Sequence, residues 1–175
     1  SNDAMLCSFI GVENLTSAAS SPIHVVIRNT GYNAIDSARI TFEIDGVRQN
    51  AFTYIPTRPL AFLKYDTLFL GSYQLADGDH TFKAWVDMLK DTTKVNDTVN
   101  FKRMVCGATM EGIYVIGPSQ NADYTFADLN KLFNAMVNCG VSDDITLKFE
   151  SGSYTGAIDL SSIATAMGDH HLTLT

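Results

Sequence analysis

Between residues 22 and 104 apolar and polar positions alternate with period two. In Pro22–Gly31, Ile23, Val25 and Ile27 share one face, and His24, Val26 and Arg28 share the other. In Ser37–Gly46, Ala38, Ile40, Phe42 and Ile44 point one way, and Arg39, Thr41, Glu43 and Asp45 the other. Such alternation predicts strands with one face on a core and one in water. Further strands are expected at 65–73, with Leu68 and Leu70 inward, at 80–88, with Phe82, Ala84, Val86 and Met88 inward, and at 97–105, with Val99 and Phe101 inward. Leu6–Leu15 serves as a first strand, and a weaker one lies around 51–55, before Pro56 and Pro59. Turn residues punctuate the run at Asn29-Thr30-Gly31, Asp45-Gly46 and Asp77-Gly78-Asp79, the last at a hairpin position. Seven short strands without a helix predict an immunoglobulin-like β-sandwich over residues 6–105.

The texture changes near residue 105. A small-residue connector leads to a strand at 113–118 and then to the one strong helix pattern, expected over 125–139. Thr125 is its expected N-cap, with Phe126, Leu129, Leu132, Phe133, Met136 and Val137 as its apolar stripe, and Gly140 just past its end. Strands are expected at 145–149, 157–160 and 171–175, the first and last one β-helix coil apart. A strand at the last residue suggests a second domain, 111–175, that is cut short, with an open edge prone to self-association. Ser1 to Met5 resemble a tag remnant ahead of an internal start.

Charge narrows the function. Twelve Lys and Arg against 19 Asp and Glu give a net charge of −7. An acidic chain is repelled by phosphates, so nucleic-acid and anionic-membrane binding are not expected. No apolar stretch nears the roughly 18 residues that cross a bilayer. Cys7, Cys106 and Cys139 form no Cys-x-x-Cys pair. They read first as small buried apolar residues, with a Cys106–Cys139 disulfide as the lesser alternative. No metal, cofactor or catalytic residue is expected. Asp143, Asp144, Asp159 and Asp169 have no spacing that pairs them for glycoside hydrolysis, and Asp143-Asp144 read as a solvated turn. His170 and His171 are adjacent and so diverge on a strand. Lys131 and Lys148 are the only cationic side chains after Arg103 apart from histidine, and Arg28, Arg39, Arg48 and Arg58 fall in outward strand positions or loops. Trp85 could stack on a sugar, but its phase makes it a partly covered aromatic on the outer face. Asp36-Ser37-Ala38, Asp66-Thr67-Leu68 and Asp97-Thr98-Val99 fit an Asp-Ser/Thr-apolar O-glycosylation pattern, and also an ordinary strand start after a turn.

Residues 24–46, 70–87 and 96–99 together resemble the CARDB-like adhesion domains of surface proteins. The marks are a strand ending in Asn-x-Gly, a strand ending before a glycine turn, a Leu-Gly turn and a terminal Asn-Asp-Thr. Residues 111–160 resemble the opening of right-handed parallel β-helix regions in large secreted proteins of Bacteroidetes-like bacteria, through Gly112-Ile113-Tyr114-Val115-Ile116-Gly117, Asp123-Tyr124-Thr125-Phe126, Cys139-Gly140-Val141-Ser142 and Gly152-Ser153-Tyr154. This resemblance implies that the helix caps the β-helix and covers its first coil. The chain is therefore expected to be a non-catalytic module of a secreted or cell-surface bacterial protein, acting in adhesion or as a spacer, with a carbohydrate or a surface protein as ligand. The alternative is an accessory N-terminal part of a carbohydrate-active β-helix enzyme, a polysaccharide lyase or glycosidase, with its catalytic residues beyond Thr175.

Overall fold

Period-two segments in the first hundred residues become eight strands in two antiparallel sheets. The computed structural model describes residues 1–117, 125–126, 128–154 and 160–175. By its internal contacts the chain divides into Ser1–Val105 and Cys106–Thr175. The strands of the first unit are β1 (Ala4–Ile10), β2 (Ser21–Asn29), β3 (Ala38–Ile44), β4 (Val47–Arg48), β5 (Phe52–Tyr54), β6 (Tyr65–Tyr73), β7 (Gly78–Asp87) and β8 (Thr98–Val105). One sheet has the order β1-β2-β6. The other runs β4-β3-β7-β8, with β5 also paired to β3, so β4 and β5 form one interrupted edge.

The inward alternation packs the two sheets face to face. Ile23, Val25 and Ile27 of β2 are fully buried, as are Ile40 and Phe42 of β3 and Ala84 and Val86 of β7. Phe9 meets Phe42 and Phe82 with ring centres 5.8 and 6.3 Å apart, and Tyr73 closes on Phe42 at 5.7 Å. Each such side chain gives about 1.5–3 kcal/mol on burial, which makes this seam the source of the unit's stability. The β3–β4 hairpin turns on Asp45 (φ 52°) and Gly46 (φ 74°). Positive φ at both positions is the two-residue turn whose twist suits a hairpin.

Several expectations fail for identifiable reasons. Phe101 is exposed although it sits opposite buried Phe82, because β8 is an edge strand with no neighbour beyond it. Asp77-Gly78-Asp79 is not a hairpin. The strands it joins belong to different sheets, so the chain crosses the sandwich there. The first residues take part in the fold: Ala4 is fully buried in β1, and the Asp3 carbonyl accepts the N–H groups of Thr30 and Gly31.

The second unit is a parallel sheet with helices in its crossovers. Its strands are β9 (Met110–Ile116), β10 (Thr125–Phe126), β11 (Val141–Phe149) and β12 (Leu172–Leu174), in the order β10-β9-β11-β12. Helix α1 (Leu129–Cys139) precedes β11, and α2 (Leu160–Met167) precedes β12. Parallel neighbours need such crossovers, since a tight turn can only reverse direction. Buried Tyr114, Ile116, Ile145 and Leu147 from the strands and Leu132, Ala135, Met136, Ile163 and Met167 from the helices make its core.

The helix expected over 125–139 starts later. Thr125 and Phe126 are extended beside Val115 and Ile116, and Asp128 is the N-cap, its carboxylate accepting the Lys131 N–H at 2.9 Å. The face that the helix buries is Leu132, Ala135 and Met136, with Phe133 only half-buried and Val137 exposed. Gly140 caps the C-terminus at φ 75°. Of the strand expected over 157–160, residues 157–159 lie outside the described residues and Leu160 opens α2. Ile163 and Met167, one helical turn apart, bury together there. Among the described residues, then, the crossover from β11 to β12 carries a helix, and no stacked β-helix coil is shown.

Candidate functional site

Burying Ile23, Val25 and Ile27 turns the alternate residues of β2 outward, and the register lines them up with β1 and β6. Three rows cross this face: Met5–Arg28–Tyr65, Ser8–Val26–Thr67 and Ile10–His24–Phe69. The Arg28 guanidinium carbon stands 4.9 Å from the Tyr65 ring centre, and the His24 ring lies 5.3 Å from that of Phe69. Tyr65 is 57% exposed, Phe69 51% and Ile10 44%. The solvent face of an antiparallel sheet is ordinarily polar, and apolar groups gathered on one mark a contact surface.

The loops that leave β2 and enter β6 add a second aromatic pair. Tyr32 and Phe62 are both exposed and stack at 4.8 Å. Fully buried Asn29 holds these loops together. Its amide nitrogen donates to the carbonyls of Asn33 (2.9 Å) and Leu60 (2.7 Å), and its amide oxygen accepts the Gly31 N–H (2.9 Å). Every polar group of that side chain's amide is engaged, which offsets the cost of burying it.

Trp85 lies on the outer face of the other sheet and is half-buried. The Arg48 guanidinium and the Lys83 ammonium each approach its ring to 5.3 Å, so cations already occupy it. Arg39, Arg48 and Arg58 are exposed, and Arg28 and Arg103 half-buried. The Asp45 turn is clamped to β7. His80 Nδ1 lies 2.6 Å from the Asp45 carboxylate, His80 Nε2 2.8 Å from the Ala76 carbonyl, and Thr81 donates its N–H to Asp45 at 2.8 Å. Partial burial works against ionisation of both groups. Even so, Thr81 and His80 hold the Asp45 carboxyl below its ordinary value, and Asp45 and the Ala76 carbonyl hold His80 above its own.

In the second unit Cys106 and Cys139 form a disulfide that ties the chain ahead of β9 to the end of α1. Cys7 is free. Asp143 and Asp144 are not a turn: they lie within β11, at an irregularity of register between Val141 and Ile145. There they meet His170, and the three offer ligand atoms all within 4.8 Å of one another. They are the only described trio of this kind, and they could accept a metal ion, which the sequence reading did not foresee because His170 is remote in the chain. Asp144 already accepts the His171 N–H at 2.7 Å, and that bond holds its carboxyl below the usual range. Asp169, Lys131 and Lys148 are exposed and apart from this trio, and Asp159 lies outside the described residues. The hydroxyl-bearing residues of the three Asp-Ser/Thr patterns, Ser37, Thr67 and Thr98, are all exposed.

No family model matches the sequence, and no curated protein matches it. Solved structures do match. One is the CARDB domain of the PF1109 protein of Pyrococcus furiosus, determined in complex with di-metal ions, at 16% identity and a TM-score of 0.52, covering 60% of this chain and 94% of that one. Another is a domain of a protein of Methanosarcina acetivorans provisionally assigned to the cell surface, at 15% identity and a TM-score of 0.51, covering 59% of this chain and 91% of that one. The sandwich has the CARDB fold. At this identity the likeness carries fold alone. No helix among the described residues is long and apolar enough to cross a membrane.

Proposed function

We propose that the chain is a non-catalytic module of a secreted or cell-surface protein, acting in adhesion or as a spacer, and that the outward face of β1, β2 and β6 is its contact surface. The observation that carries this reading is the in-register display of Ile10, Tyr65 and Phe69 beside Arg28 and His24. Rigid aromatics next to a cation suit either a sugar ring or a protein patch, since both stack or pack on an aromatic face. The CARDB fold supports a surface module, and the Cys106–Cys139 disulfide supports an oxidising compartment.

The test is adhesion of beads coated with the chain to a panel of immobilised polysaccharides and extracellular proteins. Tyr65→Ala with Phe69→Ala should abolish binding without lowering the melting temperature by more than a few degrees, while Trp85→Phe should leave binding intact. Binding that survives the double variant would move the contact surface elsewhere. The absence of catalysis is tested on the same polysaccharides: turnover abolished by Asp143→Asn would replace this reading with an enzymatic one.

A further inference from the structure

At the end of the sandwich where β1 begins, the segment between β7 and β8 folds over the first residues. Asn2 bridges to Asp91, and the Asn2 carbonyl accepts both the N–H and the hydroxyl of Thr92, at 3.1 and 3.2 Å. The Asp91 carboxylate accepts the N–H groups of Ala4 (3.0 Å) and Thr93 (2.9 Å). Asp3 accepts from the Asn96 amide nitrogen at 3.0 Å.

Asp97 and its neighbour Asn96 are less well satisfied. Asp97 is only 6% exposed. One of its oxygens lies 3.3 Å from the Lys94 ammonium, while its buried Oδ1 has no partner. The buried amide oxygen of Asn96, the adjoining residue, has none either. Burial, with repulsion from Asp91 and Asp3, pushes the Asp97 carboxyl up against the pull of Lys94. The one ammonium paired with Asp97 is itself largely exposed. A buried charge needs both a counter-charge and filled acceptor positions, and Asp97 lacks the second and has too little of the first.

We propose that this end of the sandwich binds a calcium ion through Asp97 Oδ1 and the Asn96 amide oxygen, with Asp3 as the neighbouring carboxylate. An all-oxygen donor set selects a hard cation, and calcium accepts irregular geometry and water in its shell where magnesium demands an octahedron. Asp3, Asp91 and Asp97 do not all converge within 4.8 Å of one another, so the ion takes few carboxylates and binds weakly. The expected Kd is about 10⁻⁴–10⁻³ M, the range of extracellular calcium modules.

The experiment is isothermal titration of the full chain with calcium chloride, with magnesium chloride as the comparison. The wild type should bind one calcium and raise its melting temperature in calcium, with a smaller response to magnesium. Asp97→Asn should lose this binding, yet melt no lower than wild type in calcium-free buffer, because it removes a buried charge without changing shape. Lys94→Gln should bind several-fold more tightly, because it removes the competing cation. Absence of binding at 10 mM calcium, on the order of ten times the weakest Kd expected, in both wild type and Lys94→Gln would overturn the proposal. So would binding that persists in Asp97→Asn and disappears in Asp143→Asn, which would place the ion in the second unit.

Discussion

Replacing Cys106 and Cys139 with alanine should destabilise the second unit and leave the sandwich untouched. The two cysteines are 33 residues apart in the chain. Cross-linking a loop of that size removes unfolded-state entropy worth about 3.7 kcal/mol at 25 °C on the chain-entropy account. For a unit of about 70 residues that corresponds to a fall in melting temperature of roughly 15–30 °C. The sandwich contains only the free Cys7, so its own transition is the internal control. Scanning calorimetry of wild type and Cys106→Ala/Cys139→Ala should show one transition displaced and the other fixed. Mild reduction of the wild type should reproduce the displaced trace. If both transitions stay within a few degrees of their original positions, or both move equally, the disulfide is not what holds the crossover through α1.

Leu132→Ala, which empties a fully buried position of α1, should cost about 2–5 kcal/mol, whereas Val137→Ala on its exposed side should stay within about 0.5 kcal/mol; equal melting shifts for the two would mean that the helix face is wrong. The Asp45–His80 clamp gives a pH signature. A histidine held above its ordinary 6.5 stabilises fully below that pH and loses the effect as pH rises through its folded value. Asp45, held below 3.8, stabilises above that pH and loses the effect as pH falls through its folded value. The melting difference between wild type and His80→Gln should therefore be greatest between about pH 4 and 6.5 and shrink above it; a difference that grows toward pH 8 would contradict the assignment.

The sandwich was legible because its core strands alternate strictly. Ile23, Val25 and Ile27, or Ile40, Phe42 and Ile44, declare their face in the sequence alone. What alternation does not encode is which sheet a strand joins, hence the misplaced hairpin at Asp77–Asp79. It also does not encode which strand lies at an edge, hence the exposed Phe101. The eight-residue α2 escaped notice because its buried pair, Ile163 and Met167, is surrounded by Ser, Thr and Ala, too short a run to reveal a period. The aromatic face was hidden for a different reason. Trp85 is the side chain whose type suggests sugar stacking, but exposure depends on neighbours: Arg48 arrives from another strand to cover Trp85, whereas Phe69, with the His24 ring beside it, stays 51% exposed. The acid-rich end joins Asp3 to Asp97 across almost the whole sandwich sequence, a proximity that only the fold creates.

The buried amide of Asn29 has a consequence for sequence evolution. It serves two carbonyls and one N–H at once. Aspartate has no N–H to donate, serine is too short and glutamine too long, so no other side chain repeats the pattern. Two residues on, a Cβ at Gly31 would stand 2.5 Å from the Asp3 nitrogen and 2.6 Å from the Ser1 carbonyl oxygen, closer than any side chain can be placed. The Asn-x-Gly at the end of β2 is thus a requirement of this loop junction rather than a generic turn. Among diverged relatives that keep the junction, positions 29 and 31 should stay fixed together, while Thr30 between them drifts.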